Sequence, residues 1–302
     1  MMKRYKDTFK NISNSDPITL TFGNFDGIHL GHQALIKATK NYSDTKSAVM
    51  TFDPHPFEFL RKRPHIHLMN ALDKMDHIES LGVDMLFCIV FDDAFSELSS
   101  DAFIDYLKSL HVKRIILGQD ARFGKNGQGR ISDLKPHFEV IIVEDMLYQH
   151  TRVSSSFIKD VISEGDMTLA NDLLSKNYRI YGQVKHGNHL GRLLGFPTAN
   201  IDYDHFHIPK MGVYAVHMKV LGQWFKGMAN IGHNPTINYQ TQTRLEVYVF
   251  DFNSDIYGKH VIVDFHAYIR EEQKFASKEK LIEQLKSDEN TVKRYFNHKD
   301  VL

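Results

Sequence analysis

Runs of apolar residues alternate with amphipathic segments over the first half of the chain. Five of these runs have the length and nearly continuous hydrophobicity of strands that are buried on both faces of a sheet. They are residues 18–23, 48–53, 85–91, 114–118 and 138–145. Helical patterns such as HQALIKATK and SSDAFIDYLKSL lie between them. This alternation predicts a parallel sheet with helices on both of its faces.

The rhythm changes near residue 177. Five strand patterns then follow one another without helices between them: YRIYGQVKHG, GVYAVHMKV, WFKGMANIG, RLEVYVFDF and HVIVDFHAYIR. Short strands at this spacing predict an antiparallel sandwich or barrel. A helical pattern with Ser277 as a candidate N-cap follows them. We therefore expect an α/β domain over residues 1–176 and a small all-β domain with a C-terminal helix over residues 177–302.

Composition narrows the classes of function. The 302 residues include 37 Lys and Arg against 37 Asp and Glu, so the formal net charge is zero. This balance argues against nucleic acid or an anionic membrane as the main partner. No apolar run reaches the roughly 18 residues of a membrane helix, and the polar N-terminus lacks the apolar core of a secretory signal. We expect a cytoplasmic protein, and the sequence leaves open whether it forms a homo-oligomer.

The segment GNFDGIHLGH, residues 23–32, falls where the first strand ends and the first helix begins. Ligands of open parallel sheets bind at this edge, and the free N–H groups of a helix N-terminus suit phosphate. His29 and His32 are three residues apart, so both can project to one side of the helix. Imidazoles there can donate hydrogen bonds as charge moves onto a leaving pyrophosphate. The pattern predicts a nucleotidyl-transfer site; the alternative is a plain strand–turn–helix with two surface histidines.

Three further segments are expected near the same crevice. TFDPHP follows the second strand, the glycine-rich GQDARFGKNGQGR follows the fourth, and RVSSSFIKD places Arg152 and serines at the head of a helix. Aminoacyl-tRNA synthetases share the HxGH element but pair it with a KMSKS loop. The segment KMDHIES at Lys74 has a different second half and comes too early in the chain.

A second group of motifs lies in the β-rich half. GRLLGFPTAN, residues 191–200, is glycine-rich and could wrap phosphates through its amides, or it could be an ordinary glycine-rich β-turn connection. Thr198 and Asn200 offer the hard oxygen ligands that Mg²⁺ accepts beside nucleotide phosphates. Glu246 alternates with Leu245 and Val247, so it faces away from them on a strand and is the best candidate for a general base. A single strand glutamate is more often only a solvated residue.

Taken together, the two sets of motifs resemble the prokaryotic bifunctional riboflavin kinase/FAD synthetase family. In the first half the resemblance rests on the segments quoted above; in the second it rests on GRLLGFPTAN, GVYA, NIGHNPT, LEVYVFDF, YGK and IREEQKF. It implies a Rossmann-like nucleotidyltransferase domain followed by a six-stranded antiparallel β-barrel. It also implies that ATP phosphorylates riboflavin to FMN, and that AMP is then transferred from ATP to FMN to give FAD and pyrophosphate.

The resemblance implies roles for individual residues. His29 and His32 would stabilise the transition state at the α-phosphate, and Glu246 would activate the riboflavin 5′-hydroxyl. ATP in the adenylyltransferase site would be bound by Gly23, Phe25, Asp26, Gly31, Arg152 and Ser155. FMN would be bound there by Asp53, Pro54, Asp120, Phe123 and Gly124. ATP and flavin in the kinase site would be bound by Gly191, Arg192, Gly195, Pro197 and Arg270, with Thr198 and Asn200 holding Mg²⁺.

The sequence departs from the family at one position. The family's loop after the fourth strand usually reads G-x-D-F-x-F-G, whereas this chain has Ala121 in place of the first aromatic residue. If that ring helps to hold the isoalloxazine or the adenine, FMN adenylylation is weakened here. The alternative to a two-activity enzyme is therefore a riboflavin kinase whose N-terminal domain is weak or regulatory in FAD synthesis.

Overall fold

The computed structural model describes residues 2–187, 191, 194–233 and 243–299. The chain divides into two units, Met1–Ser155 and Ser156–Leu302. This division falls earlier than the domain boundary expected at residue 177, which stays a prediction.

A six-stranded sheet forms the centre of the first unit. All of its strand pairs are parallel, and the strand order is β1-β4-β3-β2-β5-β6. The strands are β1 (Lys3–Asp7), β2 (Ile18–Phe22), β3 (Lys46–Asp53), β4 (Met85–Val90), β5 (Val112–Leu117) and β6 (Glu139–Ile142). After β2, the chain adds β3 and β4 on one side of β2 and then β5 and β6 on the other. The gap between β2 and β5 is therefore the topological switch point, where a crevice opens at the carboxyl ends of the strands.

Five of these strands confirm the apolar runs, but β1 is absent from the sequence prediction. Its segment KRYKD is polar because β1 is an edge strand that pairs only with β4 and exposes most of its side chains. The helices of this unit are α1 (Leu30–Ala38), α2 (Pro56–Arg61), α3 (Ala71–Ser80), α4 (Asp93–Ser96), α5 (Ser100–Ser109) and α6 (Ile131–Leu134). Two short strands, β7 (Leu147–Tyr148) and β8 (Thr151–Arg152), pair with each other.

Alternate side chains of the sheet enter two separate cores. On β4, Phe87 packs in the cluster that contains Phe103 of α5, whereas Leu86 packs in the cluster that contains Ile36 of α1. Burial on both faces explains why the central strands have nearly continuous apolar sequences. The N-cap of α5 is Ser99, whose hydroxyl accepts a hydrogen bond from the Ala102 N–H.

The second unit is a closed antiparallel barrel, and helices precede and follow its strands in the sequence. Helices α7 (Ser155–Glu164) and α8 (Met167–Leu174) precede it. Its strands are β9 (Tyr178–Lys185), β10 (Thr198–Tyr203), β11 (Gly212–Val220), β12 (Gln223–His233), β13 (Thr243–Val249) and β14 (His260–Arg270). They close in the order β10-β13-β12-β11-β14-β9, with β9 paired to β10.

Five barrel strands confirm the patterns found in the sequence, and the sixth strand is β10. Its first three residues were expected in a glycine-rich loop, but Thr198 already pairs with Tyr248 of β13. Between β11 and β12, Leu221 and Gly222 both have positive φ, as a two-residue hairpin turn requires. Helix α9 (Lys278–Lys299) begins after Ser277, whose hydroxyl accepts a hydrogen bond from the Lys280 N–H. Among the helices of the described residues, none combines the length and the hydrophobicity of a membrane span.

Candidate active sites

The loop after β2 brings the two motif histidines together at the switch point. His29 is the N-cap of α1, and its Nδ1 accepts a hydrogen bond from the His32 N–H at 3.4 Å. The two rings are stacked, with centroids 3.7 Å apart. Gly27 turns the chain with φ of 83°. A Cβ atom at Gly31 would lie 3.2 Å from the His29 ring, so the glycine allows the helix to start close to that ring.

Burial controls the charge of this histidine pair. His29 is 5% exposed, and desolvation lowers its pKa to about 4, although the Asp26 carboxylate opposes the shift. Desolvation and the neighbouring His29 also lower the pKa of His32 well below its usual value. Both rings are therefore neutral at pH 7, and each has one N–H to donate. Among the described residues, the buried Nδ1 of His32 has no hydrogen-bond partner.

Three other predicted ATP-binding residues shape the loop itself. The Phe25 ring is 2% exposed, packs beneath Gly23 and lies nearly perpendicular to the His32 ring. The Asp26 carboxylate accepts a hydrogen bond from the Leu68 N–H at 2.8 Å. It also lies 3.4 Å from Nε2 of His65.

Two residues beside this loop come from distant parts of the chain. The Ser155 hydroxyl, at the end of the first unit, donates to the Asp26 carbonyl at 2.9 Å. Lys74, which the sequence analysis considered only as the start of KMDHIES, lies on α3 beneath the loop. Its Nζ donates to the Asn24 carbonyl at 3.0 Å and to Thr51 Oγ1 at 3.4 Å. The sequence does not assign Lys74 to this site, because its role depends on how α3 packs against the ends of β2 and β3.

Arg152 is held by two carboxylates. Its guanidinium forms a bidentate pair with Asp120 at 2.6 and 2.9 Å, and its Nε lies 3.0 Å from Asp145. This pairing lowers the pKa of Asp120 and raises that of Arg152. Arg152 and Asp120, which the resemblance assigns to ATP and FMN respectively, are therefore in direct contact. A phosphate that binds Arg152 has to compete with these carboxylates.

The other residues assigned to FMN lie on two loops at the same edge of the sheet. Asp53 ends β3, pairs with Lys6 at 2.7 Å and is joined to Pro54 by a cis peptide bond. The Phe123 ring is 6% exposed and contacts the rings of Phe22 and Phe103.

The same glycine-rich loop contains the remaining FMN candidate and the departure from the family motif. Gly124 has φ of 69°, and a Cβ atom there would lie 3.1 Å from the Ser100 backbone nitrogen. Ala121 packs against the edge of the hydrophobic core and is only partly buried.

In the second unit, a cavity of about 430 Å³ lies against the outer face of the barrel. On β13, Leu245 and Val247 are fully buried, whereas Glu246 faces the opposite way and lines the cavity. Glu246 is directly opposite Asn200 of β10 and Asn230 of β12 in the strand register. Directly opposite side chains lie within about 5.5 Å at Cβ. One carboxylate and two amides therefore form a row across three strands.

Glu246 is a carboxylate in a poorly hydrated place. Its side chain is 18% exposed, and desolvation raises its pKa, although the charge of Arg244 opposes the shift. The Arg244 guanidinium lies 3.4 Å from the carboxylate. A raised pKa makes the ionised group a better proton acceptor.

The glycines of this site allow close approach to the predicted metal ligands. A Cβ atom on Gly187 would collide with the Asn200 amide, and one on Gly191 would collide with the Phe196 carbonyl and crowd the Thr198 hydroxyl. Thr198 and Asn200 are two residues apart on β10, so both face the cavity.

Two further predicted kinase residues, Pro197 and Arg270, line the cavity. Gly195 has φ of 84° with open space around it. Arg270 is fixed by Asp288 of α9, which accepts hydrogen bonds from its Nε and Nη2 at 2.7 to 3.0 Å. Arg192 lies outside the described residues.

The donor set fits a hard divalent cation. Thr198 and Asn200 provide two neutral oxygens, and the Glu246 carboxylate is the cross-strand neighbour of Asn200. Mg²⁺ in nucleotide sites is bound by few protein oxygens, together with water and phosphate. No cluster of three His, Cys, Asp or Glu side chains suited to a metal occurs in the described part of the chain.

Other cavity residues were not assigned to the site from the sequence. Asn230, Arg244, Tyr248 and Phe275 all line the cavity with Glu246. Arg244 and Tyr248 could have been found from the two-residue period of β13 once Glu246 was chosen. Asn230 is the first residue of NIGHNPT, one of the motifs behind the resemblance, but only the register of β12 against β13 brings it beside Glu246.

Comparisons with known proteins agree with this two-site architecture. The FAD synthetase family model matches residues 11–157, and the riboflavin kinase family model matches residues 174–296. The bifunctional riboflavin kinase/FMN adenylyltransferase of Listeria monocytogenes is 41% identical over 92% of this chain and 92% of its own length. The protein of the same name from Bacillus subtilis is 38% identical, with the same coverage of both chains.

The fold likeness extends over nearly the whole chain. A crystal structure described as a macrolide-efflux protein from Streptococcus pneumoniae is 33% identical to this chain with a TM-score of 0.86. The match covers 97% of this chain and 99% of that one. The two family models, the curated relatives and the shared architecture lead to one assignment. The chain belongs to the bifunctional riboflavin kinase/FMN adenylyltransferase family.

Proposed function

We propose that this chain converts riboflavin and ATP to FMN in the barrel unit, and FMN and a second ATP to FAD in the α/β unit. ADP leaves the first reaction and pyrophosphate leaves the second. The observation that best supports the proposal is the row of Asn200, Glu246 and Asn230 in a cavity that Thr198 also lines. We retain residues 1–176 and 177–302 as the proposed extents of the two domains.

In the kinase reaction, Glu246 accepts the proton of the riboflavin 5′-hydroxyl as that oxygen attacks the γ-phosphorus of ATP. The flanking amides of Asn200 and Asn230 fix the carboxylate and the attacking group, because phosphoryl transfer depends mainly on positioning and charge stabilisation. Thr198 and Asn200 would hold Mg²⁺, which neutralises charge on the nucleotide phosphates when it is bound. Arg270, held by Asp288, presents its guanidinium at the cavity wall.

In the adenylyl transfer, the FMN phosphate attacks the α-phosphorus of ATP. The protein supplies no covalent nucleophile. His29 and His32, both neutral, donate hydrogen bonds to phosphate oxygens, and these strengthen as negative charge moves onto pyrophosphate. Arg152 leaves its carboxylates to bind the phosphates, and the N-terminus of α1 contributes its dipole.

A product assay tests the proposal. Purified protein with riboflavin, ATP and Mg²⁺ is expected to make FMN and then FAD, separated by chromatography. A second incubation supplies FMN directly and so measures the FAD synthesis of the α/β unit alone. Formation of neither product refutes the proposal. FMN without FAD in both incubations favours the alternative in which the first unit is weak or regulatory, for which Ala121 gives the reason.

A further inference from the structure

Lys74 is a lysine on the buried face of a helix. It is 8% exposed, as little as its neighbour Met75, and Ile78 one turn later is fully buried. Packing alone calls for an apolar residue at this position, because a buried ammonium group costs several kcal/mol of desolvation unless a partner compensates it. The presence of lysine therefore needs a reason beyond packing.

The partners of Lys74 do not compensate its charge. The Asn24 carbonyl and the Thr51 hydroxyl are both neutral. An ammonium group has three hydrogens to donate, and the described residues provide acceptors for two. The two carboxylates that act on Lys74 from a distance are engaged elsewhere: Asp53 pairs with Lys6, and Asp26 binds the Leu68 N–H. Desolvation outweighs both carboxylates and lowers the pKa of Lys74.

The position of Lys74 relates its charge to the nucleotide. The hydrogen bond to the Asn24 carbonyl fixes the loop that leads to the two histidines. The ammonium is also close enough to His32 to lower the pKa of that ring. A cation beneath this loop acts on a triphosphate at the start of α1, and poor hydration there preserves its effect over distance.

We propose that Lys74 is a positioning residue of the adenylyltransferase site, which holds the Asn24 loop and supplies the buried positive charge that the ATP triphosphate compensates. The inference rests on the proposed adenylyl transfer. It assigns the charge to the nucleotide rather than to the FMN phosphate, because Lys74 contacts the loop after β2 and lies close to His32. The competing explanation is a structural clamp between β2, β3 and α3, in which the charge itself has no role.

The test compares Lys74→Met, Lys74→Gln and Lys74→Arg in the full-length protein with FMN and ATP as substrates. Lys37→Met is the matched control, since Lys37 is an exposed lysine on α1. In the neutral variants the KM for ATP should rise at least about tenfold, which corresponds to ~1.4 kcal/mol, while the KM for FMN changes less. Lys74→Arg should recover most of the loss. FMN formation from riboflavin should be unchanged in all four variants.

Thermal unfolding distinguishes a role for the charge of Lys74 from a purely structural role as a clamp. Relief of the buried charge should leave the melting temperature of the neutral variants equal to that of the wild type or higher, whereas loss of a clamp lowers it. A KM for ATP within twofold of the wild type, a larger rise for FMN than for ATP, or Lys74→Arg as impaired as Lys74→Met would each overturn the inference. If neither neutral variant folds, a tenfold rise in Lys74→Arg overturns it and a retained KM supports it. A wild type without FAD synthesis would instead refute the proposed function.

Discussion

Replacing Glu246 by Gln tests the kinase site with little disturbance of its shape. The two side chains have the same size, so the row with Asn200 and Asn230 is retained while the proton acceptor is lost. A general base contributes about 10² to 10⁴-fold to the rate, and a side chain only 18% exposed leaves little room for water to replace it. We expect kcat for FMN formation to fall within that range. The KM for ATP should change little, because Glu246 acts on the attacking hydroxyl.

Glu246→Gln should lose activity without losing stability. The pKa of Glu246 is raised in the folded protein, so this group stabilises the fold below its ordinary pKa and ceases to do so as pH rises through the folded value. At pH 7 the ionised carboxylate is unfavourable, and Glu246→Gln should be as stable as the wild type or more so. Loss of kcat together with a lower melting temperature would mean that the variant is damaged rather than missing its base.

The assay follows FMN from riboflavin by chromatography across pH. In the wild type, kcat/KM should rise with pH as Glu246 loses its proton, and Glu246→Gln should lack this acid limb. Glu283→Gln is the control, since Glu283 lies exposed on α9 in a pair with Lys280. FAD synthesis from supplied FMN should be normal in both variants. Glu246 would not be the general base of a separate kinase site if Glu246→Gln kept kcat within threefold of the wild type, or if it lost both activities together.

Four further predictions concern other parts of the chain. His29→Ala should abolish FAD synthesis from FMN and leave FMN formation intact, while His29→Asn should keep the helix cap, worth about 1 kcal/mol, without restoring activity. Because the pKa of His29 falls from 6.5 to about 4 on folding, the unfolded chain binds more protons than the folded protein between these two pH values. The free energy of unfolding should therefore fall by about 2 kcal/mol between pH 7 and pH 5. The fall should be smaller in His29→Asn. Ala121→Phe should lower the KM for FMN about two- to tenfold through an added aromatic contact. Asp288→Asn should cost about 3–5 kcal/mol in chemical unfolding, because it leaves the Arg270 guanidinium without its buried partner.

Each of these four predictions has an outcome that would contradict it. Activity in His29→Asn equal to wild type would show that the cap, not the imidazole chemistry, matters. An identical pH dependence of unfolding in His29→Asn would mean that other groups bind the protons. An effect of Ala121→Leu as large as that of Ala121→Phe would point to bulk rather than to an aromatic ring. An Asp288→Asn variant as stable as the wild type would indicate that the ion pair gains no more than its desolvation costs.

The central strands and the motif residues could be recognised from the sequence for definite physical reasons. Strands buried on both faces have continuous apolar runs, and the turn after β2 needs glycines and a helix start that a short motif encodes. Strand β1 escaped because an exposed edge strand needs no apolar pattern. Strand β10 escaped because it directly follows Gly195 and Pro197, although its six residues alternate between polar and apolar side chains.

The two kinds of architecture, the histidine pair and Glu246 could all be inferred from the sequence, because local periodicity and short motifs depend on residues that are close in the chain. The side chains that surround them became known only from the folded chain. Asn230 meets Glu246 through strand register, Asp120 meets Arg152 across 32 residues, and Lys74 reaches Asn24 across 50. Such contacts arise when packed elements bring distant segments together, and no local pattern records them.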